Sequence, residues 1–235
     1  MLCKIADLIV EIPEAGDLVP RCREYHCQEV RSADIIIRTE NFLPGAWFTL
    51  SEDNMIYMES GVQFYLNLLD FSGMLLHSYA VALNGKVYLF SGPSGMGKST
   101  HTRLWQTVFG EEAEIINDDK PALRYLDGVW YAYGTPWCGK DGINRNKKYP
   151  LAGICFLKQA DQNEIRRLSP GEAGRKILSQ TYHRFWKSEK MDLVLKNVNC
   201  LIQKIPVFEL ENRPEPEAAK LSHDTMLAAA EEMNL

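Results

Sequence analysis

The chain has 235 residues, 46% hydrophobic and 24% charged, with a formal net charge of −5. That length predicts one large domain or two small ones, with core enough to fold without a metal or disulfide. The composition excludes disordered, collagen-like and low-complexity classes, and the acidic balance argues against a partner that is nucleic acid or an anionic membrane.

The N-terminal stretch Met1–Gly16 carries acids within its apolar run and no small-residue cleavage pattern, so a signal peptide is not expected. No run of 18 uncharged apolar residues occurs, so no membrane span is expected. The six scattered cysteines read as reduced thiols of a cytoplasmic protein. Cys22, His26 and Cys27 lack a second ligand pair at a zinc-like distance.

In chain order, residues 2–12 read as a strand, 33–40 as a second and 54–58 as a third, which makes 1–70 a strand-rich section. Residues 59–70 carry a helical apolar pattern. Two apolar runs, 75–83 and 86–91, flank Asn84-Gly85, a hairpin signal. A helix is predicted over 98–109 and ended by Gly110, then a buried strand over 113–117. A second hairpin turns at Asp127-Gly128. A loop with glycines at 134, 139 and 142 leads into an apolar strand over 150–160. Ser169 and Glu172 form a capping box that opens a helix to about Gln180. A helix over 186–203, a strand over 205–210 and a short helix from Pro216 complete the pattern. Helices mixed with hairpins predict an α/β fold on a sheet that is not purely parallel. We read 1–235 as a single domain: the N-terminal section, a core over 71–210 and a C-terminal tail over 211–235.

The chemistry sits where the first hairpin meets a helix. Gly92-Pro-Ser-Gly-Met-Gly-Lys98-Ser99 fits the P-loop pattern G-x-x-x-x-G-K-[ST]. At average residue usage a chance match in a chain this long is expected on the order of 0.01 times. The backbone of Gly92, Ser94, Gly95, Met96 and Gly97 would wrap a phosphate, and Thr100 would lie in the first turn of the helix. Lys98 would reach the β- and γ-phosphates of ATP, and the Ser99 hydroxyl would bind Mg²⁺. Asp118 and Asp119 end a buried strand where a second metal-organising acid belongs, one for the metal or its water and one for the acceptor. His77 lies seven residues before Asn84 and Gly92 seven after Gly85, so the hairpin brings an imidazole to the phosphates.

Lys140 and Arg145 lie in the glycine-containing loop. Between Lys140 and Lys187 there are eleven basic and four acidic residues, a concentration that suits an anionic ligand. The loop is expected to be a mobile lid that brings a cation to the transferring phosphoryl group. Trp105, Phe185 and Trp186 are expected in the core rather than stacked on a base.

The set Leu76-His77, Gly92–Ser99 and Asn117-Asp118-Asp119, followed by a Gly-rich loop and an apolar strand, resembles the catalytic domain of bacterial HPr kinase/phosphorylase. That domain belongs to the phosphoenolpyruvate-carboxykinase-like group. The stretches Ser99–Trp105, Asn117–Pro121 and Gly134–Lys140 further resemble a bacterial subgroup, some of whose members accompany peptide-modification genes. The resemblance covers about residues 70–210. It implies a mixed-sheet P-loop fold of the HPr kinase/carboxykinase type, with His77, Asp118 and Asp119 at the reaction centre and Lys98 and Ser99 on nucleotide and metal. Gly139–Asn144 echoes the HPr-kinase signature without reproducing it, and residues 1–70 do not match the N-terminal domain of those enzymes.

The expected function is therefore a Mg-ATP-dependent kinase. It would transfer the γ-phosphoryl group to a hydroxyl, on Ser or Thr of a protein or peptide or on a small alcohol. Two alternatives stay open: a nucleotide-binding regulatory module without turnover, and a kinase using pyrophosphate or ADP. Self-association into a homo-oligomer is also left open.

Overall fold

The computed structural model describes residues 1–29, 31–42, 51–181 and 188–235. Phe185 and Trp186, expected in the core, fall outside them. Strands β1 (Leu2–Ile5) and β2 (Leu8–Glu11) form an antiparallel hairpin where one strand is predicted. Ala6 and Asp7 at its turn have φ of 51° and 60°, the pair of left-handed residues that a tight two-residue reversal uses. Helix α1 (Leu18–Arg21) follows. The strand predicted over 33–40 shrinks to β3 (Ile35–Ile36), which runs parallel to β2.

Residues 54–58 are helical rather than extended. They belong to α2 (Glu52–Leu68), which the pattern detects only from residue 59. The Ser51 hydroxyl accepts the Asn54 amide, and Glu52 and Asp53 sit against the positive end of the helix. Tyr57, Phe64, Tyr65 and Leu68 are all buried, so the short apolar run 54–58 opens a face that continues for three more turns.

A nine-stranded mixed sheet holds β4 (Gly73–Leu75), β5 (Ser78–Leu83), β6 (Lys86–Ser91), β7 (Glu114–Asn117), β8 (Ala122–Leu126), β9 (Val129–Tyr133), β10 (Lys148–Gln159), β11 (Glu164–Arg167) and β12 (Val207–Asn212). Its spatial order is β4-β8-β9-β10-β6-β5-β7, with β12 on β10 and β11 on β12. The early part of β10 is antiparallel to β9, and the rest runs parallel to β6 and β12. Strand β11, absent from the pattern reading, carries two arginines and a glutamate over four residues and pairs only with β12. The sheet is curled: β4 and β5 lie far apart along its order, yet only Leu76 and His77 separate them in the chain.

Both faces of the sheet are covered. In β5 and β6, Ala80, Ala82, Val87 and Leu89 face one cluster, while Tyr79, Val81, Tyr88 and Phe90 face another. The second cluster is closed by α3 (Lys98–Phe109) and α6 (Pro216–Glu232). Trp105 is fully buried there, as expected, and α6 is a 17-residue helix rather than a short tail. The first cluster takes side chains from α2, α4 (Pro170–Ser179), α5 (Ser188–Lys204) and the N-terminal hairpin. Ser169 and Glu172 make the predicted capping box of α4. Among the described residues no helix is long and apolar enough to cross a membrane.

Candidate active site

The site lies where β6 ends. The β5–β6 register sets Ser78 opposite Ser91, so His77 and Gly92 follow side by side, as the hairpin arithmetic requires. Gly92, Gly95 and Gly97 have φ of 145°, 85° and 88°, values an L side chain rarely adopts, and the turn they make delivers the chain into α3. Lys98 folds back over this turn. Its ammonium donates to the carbonyls of Gly92 (2.6 Å) and Pro93 (3.2 Å). Burial lowers its pKa, against the opposing influence of Asp119.

A cavity of about 310 Å³ opens over the turn. His77, Lys98, Ser99, Asp118, Asp119 and Lys140 line it, so every residue expected at the reaction centre meets in one place. Ser94, Gly95, Gly97 and Thr100 complete its floor. Gly92 lies beneath it, and Met96 turns to a neighbouring cavity.

Asn117 aims the two acids. Its amide nitrogen donates to the carbonyls of Thr135 (3.1 Å) and Trp137 (3.3 Å), while its oxygen accepts the amides of Asp119 (3.0 Å) and Lys120 (2.6 Å). This Asx turn bends the chain as β7 ends and sends the carboxylates to different partners. Asp118 accepts the amides of Gly139 (2.7 Å) and Asp141 (2.9 Å). Burial raises its pKa and the Asp119 charge adds to that, while these two amides oppose it. Asp119 faces His77, Nε2 to Oδ1 at 2.6 Å, and its other oxygen accepts from the Lys120 ammonium. Burial alone would raise the pKa of Asp119; the His77 hydrogen bond and the Lys120 charge outweigh it and hold the group at about 2.

Beyond this pair lies a second cavity of about 300 Å³ that shares His77 and Asp119 with the first. Met58, Leu75 and Lys120 form part of its wall, and Thr181, whose buried hydroxyl has no partner among the described residues, also lines it.

The glycine-containing loop is not a free lid. Gly134 donates its amide to Lys147, Arg145 to Ile116 and Gly142 to Gly139. Trp137 stacks on Phe64, its indole N–H donating to Ser60, and Tyr57 bonds both backbone groups of Cys138. Gly134 allows close packing, since a Cβ there would stand 1.8 Å from the Arg145 carbonyl oxygen, and Gly142, with φ of 70°, makes a turn. Within this fixed strap Lys140 is exposed and lines the cavity. Arg145 points away and pairs with Glu24 (3.2 Å).

Much of the basic stretch is also taken up in ion pairs among the described residues. Lys147 pairs with Glu114, Lys148 with Asp7, Lys158 with Glu211, and Arg166 and Lys176 with Glu209. The acids that neutralise it are remote in sequence, so a local charge count cannot find them.

Several functional neighbours escape the motif reading. Lys120 is visible only as the residue after the acid pair. Tyr79 donates its hydroxyl to Asp141 (3.0 Å), which also meets Arg103 (3.2 Å). The α2 residues Tyr57, Ser60 and Phe64 support the strap, a role that the helical pattern over 59–70 does not signal.

A family model described as SynChlorMet cassette protein ScmC matches residues 49–213. The chain belongs to this family. The ScmC match spans all the residues that line the two cavities at the His77–Asp119 pair. Among solved structures, the HPr(Ser) kinase/phosphatase from Coxiella burnetii aligns over 68% of this chain and 92% of its own, at 10% identity and a TM-score of 0.38. No curated protein matches.

Proposed function

We propose that this ScmC-family chain is an ATP-dependent phosphotransferase that moves the γ-phosphoryl group to a hydroxyl, on a Ser or Thr side chain or on a small alcohol. The observation that carries the reading is the position of His77–Asp119 between two cavities. One is floored by the P-loop motif and the other contains the Thr181 hydroxyl, which has no partner among the described residues.

In this reading the triphosphate lies over Gly92–Ser99, with the N-terminal end of α3 toward its charge. Lys98 exchanges its loop carbonyls for phosphate oxygens, and Lys140 meets the charge that develops on the transferred group. Ser99 and Asp118 offer the hard oxygens Mg²⁺ prefers. Asp118 keeps lone pairs beyond the two used by backbone amides, whereas both Asp119 oxygens already face cationic or hydrogen-bonding side chains. Bound there, the metal would neutralise charge on the β- and γ-phosphates.

The acceptor enters from the second cavity. Its oxygen forms the new bond to phosphorus as the bond from γ-phosphorus to the bridging oxygen breaks. Its proton passes to the His77–Asp119 pair, and ADP leaves. We place the reaction in the cytoplasm on the strength of six free thiols, and read the HPr kinase-type fold and the single-domain organisation as part of the same proposal.

The test combines binding with turnover. Mg-ATP should raise the melting temperature of the wild type, and Lys98→Ala should lose that shift. Asp118→Asn and Asp119→Asn should each lower phosphoryl transfer by about 10²-fold or more. An unaltered Mg-ATP shift in Lys98→Ala, or near-normal turnover in both Asp variants, would overturn the reading.

A further inference from the structure

A third cavity, about 630 Å³, opens beside the phosphate-facing one and shares Gly97 and Thr100 with it. The two therefore adjoin at the first turn of α3. The size of the third cavity falls within the roughly 300–1,000 Å³ common for small-molecule sites. Met96 and Leu104 give it apolar, half-buried walls, and the exposed Asp161 stands at its mouth.

Its polar edge is defined by a proton count. The Ser222 hydroxyl donates to the Ala219 carbonyl (2.9 Å), which uses its one proton. It accepts the Trp105 indole N–H (3.0 Å), and so can only accept from His101 Nε2 (3.1 Å) as well. His101 therefore carries its proton on Nε2. Its Nδ1 is left as an acceptor, 3.5 Å from the Asn212 amide nitrogen, and both residues line the cavity. With His101 Nδ1 facing the Asn212 amide nitrogen, the edge offers the second amide proton and the oxygen of Asn212, one donor and one acceptor. An Asn amide matches the amino group and N7 of adenine. A carboxylate at the mouth suits the hydroxyls of a ribose, as acidic residues do in dinucleotide sites.

We infer that this cavity holds the adenosine of the phosphoryl donor: Asn212, positioned by His101, meets the base edge, Met96 and Leu104 its faces, and Asp161 the ribose. The donor is then an adenine nucleotide and not pyrophosphate. The inference rests on the phosphate-binding reading of Gly92–Ser99 and extends it to the part of the ligand that the motif does not touch.

Titration calorimetry on the full chain, with Mg-ATP, Mg-GTP and Mg-tripolyphosphate as probes, separates the two claims. The wild type should bind ATP at least about tenfold more tightly than either of the others. Asn212→Ala and the surface variant Asp161→Ala should each weaken ATP by about tenfold, while tripolyphosphate changes by less than about threefold. Far-UV circular dichroism confirms that both variants are folded; if Asn212→Ala is not, Asp161→Ala decides alone. Tripolyphosphate binding as tightly as ATP, with the variants without effect, would overturn the adenosine site while leaving the P-loop reading intact. GTP binding as tightly as ATP would overturn the base assignment. If neither ATP nor tripolyphosphate binds, or if Lys98→Ala binds both normally, the phosphate reading falls and this one with it.

Discussion

Asp118 and Asp119 are neighbours in sequence and opposites in environment. Asp118 is held by backbone amides and its pKa is raised, while Asp119 is held by His77 and Lys120 and sits at about 2. The sign of the Asp119 shift sets a pH dependence. A carboxyl whose folded pKa lies below its unfolded value, about 3.9, adds stability that is fully present above that value and is lost as pH falls through the folded one. The stability gap between wild type and Asp119→Asn should therefore be constant from pH 7 to about 4 and narrow toward pH 2. Denaturant midpoints measured across that range check it, and a gap that widens on acidification would contradict the pairing. The sequence made the acid pair and the nearby imidazole legible, because a hairpin register is simple arithmetic. It did not reveal Lys120, since the Asx turn at Asn117 decides which side chains face Asp119.

At the scale of elements, the strap over residues 134–149 is where pattern and structure part. Glycines beside cations read as a hinge when only neighbours in sequence are considered. The strap is instead pinned by Ile116, by Tyr57 and by Trp137 lying against α2. Its partners include residues 81 and 123 positions away in the chain, and the first turns of α2 are too short an apolar run to show a helical period. Two consequences are measurable. The amides of Gly134 and Arg145 should exchange slowly without ligand, because both are hydrogen-bonded; fast exchange at both would restore a mobile lid. Lys140→Ala should lower kcat by about tenfold or more with nucleotide Kd changed by less than about threefold. Arg145→Ala, which removes an exposed ion pair with Glu24, should leave kcat unchanged and cost at most about 1 kcal/mol. Equal kinetic effects from the two substitutions would refute this division.

For the molecule as a whole, the three-stranded N-terminal sheet and the nine-stranded sheet share one buried cluster. Arg124 joins them. It is buried, and its guanidinium donates to the carbonyls of Ala6 (2.6 Å) and Phe71 (3.2 Å). Arg124→Met should leave a buried carbonyl unpaired and lower stability by about 1–3 kcal/mol. Unfolding should stay one transition whether followed by far-UV circular dichroism or by tryptophan fluorescence. Two separated transitions in the wild type would make the N-terminal sheet an independent unit. The α/β class and both glycine hairpins could be read from local pattern, whereas the curl of the sheet could not. It depends on β8 pairing with β4 and β6 with β10, contacts that close long loops and leave no local trace.

Leu76 and His77 bridge β4 and β5, whose pairings fix both ends of that two-residue link. The link is also anchored in its middle, where the His77 amide donates to Gln180 and its carbonyl accepts from Ser91. It therefore has no slack. One residue more or fewer there would have to be absorbed by slipping a strand, and a slip of one turns every side chain of that strand to the opposite face. The exposed tip at Asp127-Gly128 can lengthen without disturbing any pairing. Where relatives of this chain differ in length, the difference belongs at such tips, and the spacing from Leu75 to Ser78 should be the part of the ruler that never changes.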